Sequence, residues 1–184
     1  RKPQVQAVLR ALRLLPELRR LLLKASPMSA HIEAVAKFRG GPAVLEQTLT
    51  GISSEESSFV PAPGKWNIRQ IVRHLADTEI VVGMRMRQIV AEDRPTLIPF
   101  DQDAWAANLG YDKADAHDSF ARFQSLREDT TKLLEALPAE AFDRVGVHTE
   151  RGSKPLLEWV QLFGRHVETH AKQIEAIRET WKAR

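Results

Sequence analysis

Residues 65–79 read KWNIRQIVRHLADTE, and this stretch specifies the start of a long amphipathic helix. Asn67 is a good N-cap, and Gln70 stands at the position that completes a capping box. Apolar residues then recur at the spacing of one helical face: Ile68, Ile71, Val72, Leu75, Val82, Met86 and Ile89. We therefore predict a helix from about Ile68 to Val90, which Arg94-Pro95 ends.

Three other parts of the chain carry helical patterns. They cover about Ile32–Leu49, broken at Gly40-Gly41-Pro42, then Ala116–Leu137 and Pro155–Trp181. Strand alternation and repeats of 20–50 residues are absent, although residues 142–153 resemble an irregular or small extended excursion. We predict an all-α fold, a four-helix bundle with at least one long crossover connection.

The crossover connection, Pro95 to Asp115, contains Phe100, Trp105 and Tyr111. Long loops that carry aromatic residues are often functional, so the part from Pro95 to Tyr111 is our candidate for substrate contact. An equally good interpretation is that the rings cap the end of the bundle as part of its core.

Charge is distributed unevenly along the chain. The 184 residues, 43% hydrophobic and 28% charged, suit one globular domain with a net charge of +3. Residues 1–27 hold seven basic residues and one acid, whereas residues 28–184 hold 20 basic and 23 acidic residues. The main body is therefore mildly acidic, which argues against a nucleic-acid partner.

We divide the chain into a basic N-terminal extension, residues 1–27, and a bundle domain, residues 28–184. The extension is helical or disordered, since Val5, Val8, Leu9, Leu12 and Leu15 follow helical spacing until Pro16. It is an upstream extension, a basic amphipathic helix that binds a partner or a membrane surface, or a leftover transit-like segment.

The chain contains no cysteine. This excludes disulfides, Cys-type zinc sites and a thiol nucleophile that belongs to the protein. The composition fits a reducing cytoplasm, and no apolar run is long enough for a membrane-spanning helix.

Histidines are the candidate metal ligands. His166 and His170 are four residues apart on the last predicted helix, so their imidazoles lie one turn apart on one face. His74 lies beside the apolar stripe of the long helix and can supply a third nitrogen. Three inward histidines favour a metal site over the alternative, in which the histidines merely fill the core or lie on the surface. A divalent ion such as zinc or nickel would keep one open coordination position there.

Other polar residues are weaker candidates. Glu168 stands between the two histidines of the last helix but points away from them, which excludes a zincin metalloprotease. We expect His31, His117 and His148 in polar surroundings and do not predict them as ligands. Asp77 and Glu79 are solvated helix positions or carboxylates that support a metal-bound His74.

The stretch quoted above resembles the DinB/YfiT-like superfamily, which shows a Trp near the helix start and then H-L-A-D-x-E. Pro99-Phe100-Asp101 leading to Trp105, then His148-Thr149-Glu150-Arg151-Gly152, and His166-x-x-x-His170-x-x-Gln173 resemble its YfiT-like branch. The resemblance covers about residues 30–181. It implies an up-down-down-up four-helix bundle, a homodimer, and one divalent metal ion per chain bound by His74, His166 and His170.

The resemblance also implies two kinds of reaction. Members studied as enzymes are often S-transferases that use a low-molecular-weight thiol, and others are regarded as metal-dependent hydrolases. Both reactions would act on a small-molecule substrate. A metal ion would lower the pKa of an external thiol in the first and of water in the second, so the histidines alone do not show which reaction takes place. The alternative from a different class is a non-catalytic metal-binding bundle in stress response or protein association. The catalytic residues stay unassigned.

Overall fold

The computed structural model describes residues 27–184. Seven α-helices lie in this range: α1 (Pro27–Arg39), α2 (Gly41–Leu49), α3 (Ser54–Ser58), α4 (Ile68–Ala91), α5 (Gln102–Asn108), α6 (Ala116–Glu135) and α7 (Leu156–Lys182). Apart from Pro27, the predicted basic extension lies outside the described residues. The predicted four-helix bundle is confirmed, with α1 and α2 together, α4, α6 and α7 as its four members.

Helix α4 begins where the sequence predicts. The side chain of Asn67 accepts a hydrogen bond from the backbone N–H of Gln70 at 3.0 Å, and the Gln70 side chain accepts one from the backbone N–H of Asn67 at 2.9 Å. This reciprocal capping box satisfies two of the donors that a helix start leaves free. The N-terminus of the helix that carries His74 is thereby fixed.

Helices α1 and α2 are nearly continuous because Gly40 keeps a right-handed helical conformation between them. Gly41 follows it and approaches Arg127 closely. A Cβ atom at this position would lie 2.9 Å from Nη1 of Arg127, closer than packed atoms allow. Glycine here lets the first member of the bundle pack directly against α6.

A three-stranded sheet, which the sequence did not predict, covers one end of the bundle. Its strands are β1 (Thr96–Leu97), β2 (Val145–His148) and β3 (Gly152–Pro155). Strand β1 pairs with β2 in parallel, and β2 pairs with β3 in antiparallel. The extended excursion expected around residues 142–153 is the β2–β3 hairpin, and β1 arises from the crossover loop.

Two apolar clusters fill the bundle. One contains Phe38, Met86 and Trp159, and the other contains Leu45, Phe123 and Ile174, with the three predicted inward residues Ile71, Val72 and Leu75. Among residues 27–184, every helix is too short or too polar to cross a membrane. The polar residues that define a candidate site lie between α4 and α7.

Candidate metal centre

Three histidines meet between α4 and α7. His74 comes from α4, and His166 and His170 come from α7. One ring nitrogen of each lies within 4.8 Å of one nitrogen of each other residue. The ring centroids are 5.4 Å apart for His74 and His166, 5.0 Å for His74 and His170, and 4.6 Å for His166 and His170. The structure thus brings together all three histidines that the sequence singles out, and we call them the histidine triad.

The two histidines of α7 face each other through their Nε2 atoms, which are 3.1 Å apart. Nδ1 of His170 lies 3.0 Å from Oε1 of Gln173, one turn further along the helix. An amide oxygen only accepts hydrogen bonds, so Nδ1 of His170 carries the proton. Its Nε2 atom therefore presents a lone pair to the centre of the triad.

The remaining ring nitrogens have few protein partners. Nδ1 of His74 and Nδ1 of His166 are buried without a hydrogen-bond partner. The contact of His74 with Oγ1 of Thr78 is long, at 3.5 Å. Buried polar atoms in native proteins are nearly always satisfied, so each unsatisfied one needs an explanation. Two of the unsatisfied atoms among the described residues lie in the triad, so the protein does not use all of the triad's binding capacity.

All three imidazoles are uncharged at neutral pH. Burial, followed by the neighbouring His170, lowers the pKa of His74 to about 4. Burial and then His170 and His74 lower the pKa of His166 to about 3, with smaller contributions from Arg127 and Arg151. Burial also lowers the pKa of His170, against the opposing hydrogen bond to Gln173. Neutral imidazole is the form that coordinates metal ions.

Aromatic rings enclose the triad on the α4 side. Trp66 lies 5.1 Å from His74 between ring centroids, and Phe100 stacks on His74 at 6.5 Å. Trp105 packs on Phe100 at 4.6 Å. One loop aromatic, Phe100, therefore contacts the triad, as the substrate-contact hypothesis requires, and Trp105 packs behind it. Tyr111 packs behind Trp66 at 6.3 Å and is fully buried, as the alternative interpretation of the loop predicts.

The nearby carboxylates have partners of their own. Asp77 binds Arg73 at 3.1 Å, and Glu79 binds Arg127 at 2.6 Å. Both carboxylates are buried, so the prediction of solvated positions is wrong. Neither contacts the triad, because partners on the same helix or on α6 hold them. Glu168 pairs with Lys37 at 2.9 Å, away from the triad, as its helical position predicts.

The other histidines lie outside the triad. His117 is exposed, as expected. The expectation of polar surroundings is incomplete for the other two. His148 is only 3% exposed and lies 5.7 Å from the Trp159 ring, besides its polar neighbours. His31 is half-buried and stacks on Phe142 at 4.8 Å. Local spacing in the sequence shows neither ring contact.

Sequence reasoning assigned no role to Gln173 or Trp66. Gln173 follows His170 by three residues, the spacing at which two helical side chains meet, so its contact was readable from the sequence. Trp66 precedes the helix that carries His74, and its place over that ring depends on the tertiary path of the chain. No local signal reveals it.

The geometry fits a divalent metal ion. Two nitrogens bound tetrahedrally to zinc at about 2.0–2.1 Å are roughly 3.3 Å apart, close to the 3.1 Å between the two Nε2 atoms. The hydrogen bond that orients His170 also matches a metal site, in which the second ring nitrogen is usually held. Three neutral imidazoles suit borderline ions such as zinc or nickel.

Fold and site together define a helical-bundle protein with a histidine centre able to hold one metal ion. The chain belongs to the DinB superfamily, whose family model matches residues 37–174. This range includes the whole histidine triad and ends one residue after Gln173.

Known proteins similar to this chain agree with that assignment. A protein of Geobacillus kaustophilus is 28% identical over 80% of this chain and 83% of its own length. YfiT of Bacillus subtilis is 30% identical over 68% of this chain and 70% of its own length. Both bear the name "putative metal-dependent hydrolase". The solved structure of Bacillus subtilis YfiT, described as a four-helix bundle of unusual topology, matches with a TM-score of 0.77 and 25% identity over 83% of this chain and 87% of that one.

Proposed function

We propose that this chain is a metal-dependent enzyme that transfers a low-molecular-weight thiol to an electrophilic small molecule. The observation that carries the proposal is the convergence of the neutral imidazoles of His74, His166 and His170 against an aromatic wall. Zinc or nickel would be held by these three side chains. When bound, such an ion supplies positive charge that favours the thiolate form of a thiol.

The chain's own residues would prepare the site for this reaction. The three imidazoles remain unprotonated, and Gln173 holds the ring of His170 in one orientation by its hydrogen bond to Nδ1. Trp66 and Phe100 shield His74 from water, which strengthens electrostatic interactions in the site. The protein has no cysteine, so the sulfur must come from a cosubstrate.

The distribution of acids supports thiol transfer over hydrolysis. Within the described part of the chain, the buried carboxylates nearest in sequence to His74 are paired with arginines and do not contact the triad. Attack by water commonly uses a carboxylate as general base. A thiol is far more acidic than water and needs no such base near a cation. In the transfer, sulfur forms a bond to carbon, the leaving group departs with its electron pair, and the thiol proton passes to solvent.

Hydrolysis is the second candidate, since both relatives described above are named as hydrolases. It would use the same triad to hold the ion.

We further propose a cytoplasmic location and a homodimer, without nucleic-acid or membrane partners. The exposed apolar side chains of Ile80 and Met84, one turn apart on α4, support a second copy of the chain as partner. Sedimentation of the wild type and of Met84→Glu measures this.

Turnover assays test the proposal. Zinc- or nickel-loaded protein is incubated with glutathione or 2-mercaptoethanol and the electrophile 1-chloro-2,4-dinitrobenzene, and separately with 4-nitrophenyl acetate. We expect conjugation that needs both metal and thiol. His166→Ala should reduce it to background, whereas the exposed control His117→Ala should retain it.

Three results would revise the proposal. Hydrolysis of the ester without conjugation favours the second candidate. Turnover that survives in His166→Ala places the chemistry elsewhere. A metal-loaded protein that turns over neither substrate favours a non-catalytic metal-binding bundle.

A further inference from the structure

Arg85 on α4 is a buried cation without an acidic partner. Arg85 is 6% exposed, and its Nη2 atom donates a hydrogen bond to the carbonyl of Ile98 at 2.5 Å. Its Nε atom is buried with no partner, and no carboxylate of residues 27–184 lies within ion-pair distance. A buried arginine is normally paired, so this side chain has binding capacity that the protein does not use.

The sheet brings a second arginine to the same place. Leu97 at the end of β1 is paired with His148 at the end of β2, and the strands are parallel. The segments that follow them therefore leave the sheet at the same edge. One segment contains Ile98, whose carbonyl binds Arg85, and the other is the turn that contains Arg151. Arg151 is exposed and makes no ion pair with any described residue.

His148 adds a neutral donor to the two arginines. Its Nδ1 atom accepts hydrogen bonds from the backbone N–H groups of Glu150 and Arg151 at 3.2 and 3.3 Å. Since Nδ1 is the acceptor, the proton of the neutral ring lies on Nε2, which has no partner among the described residues. The same hydrogen bonds fix the turn that presents Arg151. Burial and the charges of Arg85 and Arg151 lower the pKa of His148.

Packed aromatic rings connect this cluster to the histidine triad along two routes. Two residues beyond Ile98, Phe100 stacks on His74. From His148, ring contacts run through Trp159 and Phe163 to His166, with centroid distances of 5.7, 6.2 and 6.1 Å. Glu150 is the acid nearest in sequence; its charge raises the pKa of His148, against the larger opposing effects of burial and the two arginines. The two arginines outnumber this acid, so the cluster carries net positive charge, and the packed rings connect it to the candidate metal centre.

We propose that Arg85, Arg151 and the Nε2–H group of His148 form an oxyanion subsite that binds a carboxylate or phosphate group of the substrate or cosubstrate. Guanidinium groups bind both oxyanions through paired N–H donors, and a neutral imidazole N–H adds a third direction of contact. The inference rests on the proposed function for the reaction centre and adds the chemical class: the enzyme selects an anionic thiol or an anionic electrophile.

Titration of the metal-free protein with simple anions tests the subsite. Acetate and inorganic phosphate are added at constant ionic strength and pH 7, and binding is followed by the NMR signals of the tryptophan indoles, Trp159 above all. We expect saturable shifts in the wild type. Arg151→Gln and Arg85→Gln should each raise the Kd of the tighter-bound anion at least fivefold. Arg122→Gln, which changes an exposed arginine on α6, should leave this Kd unchanged. The anion with the lower Kd identifies the class.

Arg151→Gln keeps the test decisive if Arg85→Gln fails to fold, because Arg151 is exposed. Shifts that do not saturate in the wild type, or equal Kd values in Arg151→Gln and Arg122→Gln, would overturn the subsite. The experiment uses neither metal nor thiol. A protein that binds oxyanions but shows no turnover retains the subsite and loses the proposed function, and a protein that turns over substrate without binding oxyanions loses the subsite alone.

Discussion

Two buried polar clusters in this bundle differ in how completely the protein satisfies them. Arg127 of α6 donates two hydrogen bonds to Glu79, at 2.8 and 2.6 Å, and a third to the carbonyl of Phe38 at 2.9 Å. The histidine triad, by contrast, leaves Nδ1 of His74 and of His166 unpartnered. Glu79 and Arg127 satisfy each other inside the protein. The histidine triad keeps nitrogen atoms available for a ligand.

The clusters also differ in charge. Glu79 and Arg127 are both 1% exposed, and burial raises the pKa of Glu79 while the guanidinium opposes that change. In the triad, burial keeps the imidazoles neutral. The comparison teaches that burial alone does not mark a functional site. What marks it is burial combined with unused donors and lone pairs.

The largest effect should come from breaking the satisfied cluster. Arg127→Met leaves Glu79 buried without its partner, so we expect the free energy of unfolding of the metal-free protein to fall by about 3–5 kcal/mol. Urea denaturation measures it. Metal affinity of the folded variant should stay within a few-fold of the wild type, since Arg127 does not touch the triad nitrogens.

The double variant Glu79→Leu/Arg127→Met is the matched control. It removes both charges, so much of the lost stability should return. A loss below about 1 kcal/mol in the single variant, or a stoichiometric loss of metal, would remove the distinction between the two clusters.

An intermediate effect should follow from removing the side chain that orients one histidine of the triad. Gln173→Leu deletes the oxygen that orients His170, and loss of such a partner typically weakens metal binding 10–100-fold. Competition with a chelator measures the affinity. Because Gln173 is exposed, stability of the metal-free protein should change by less than about 0.5 kcal/mol.

Gln173→Glu keeps an acceptor oxygen at this position and should bind the ion at least as tightly as the wild type. If Gln173→Leu and the wild type have equal affinities, the hydrogen bond to His170 has no part in holding the ion.

Acidification tests the triad in a separate way. Folded His74 and His166 take up protons only near pH 4 and 3, whereas the unfolded chain takes them up near its ordinary pKa of about 6.5. The unfolded state therefore binds more protons between these values, and stability of the metal-free protein should fall as the pH decreases from about 6.5 toward 4. Urea denaturation at pH 7, 6 and 5 follows this decrease.

His74→Gln/His166→Gln should show a shallower decrease over the same range, because the two depressed pKa values are gone. Parallel pH curves for this variant and the wild type would mean that the two imidazoles titrate normally in the folded protein.

Local rules predicted much of the fold and the triad. The Asn67 and Gln70 capping box lies within one helical turn, and the spacing of His166 and His170 is set by the helix itself. His74 could be assigned because its place beside an apolar stripe indicates an inward direction. These features depend on residues a few positions apart, which a sequence displays directly.

Features that depend on distant partners were missed. Strand β1 has two residues and exists through its pairing with β2, about fifty residues later. Glu79 looked like a surface residue because its partner, Arg127, lies on another helix. The burial of His148 and the position of Arg85 depend in the same way on the sheet and the crossover loop.

The most direct test of the central claim is an anomalous difference map from crystals of the protein loaded with zinc or nickel. We predict one peak per chain, about 2.0–2.2 Å from one nitrogen of each of His74, His166 and His170. A map with no peak at the triad, or with its main peak at other residues, would contradict the claim that the unsatisfied cluster is a metal site.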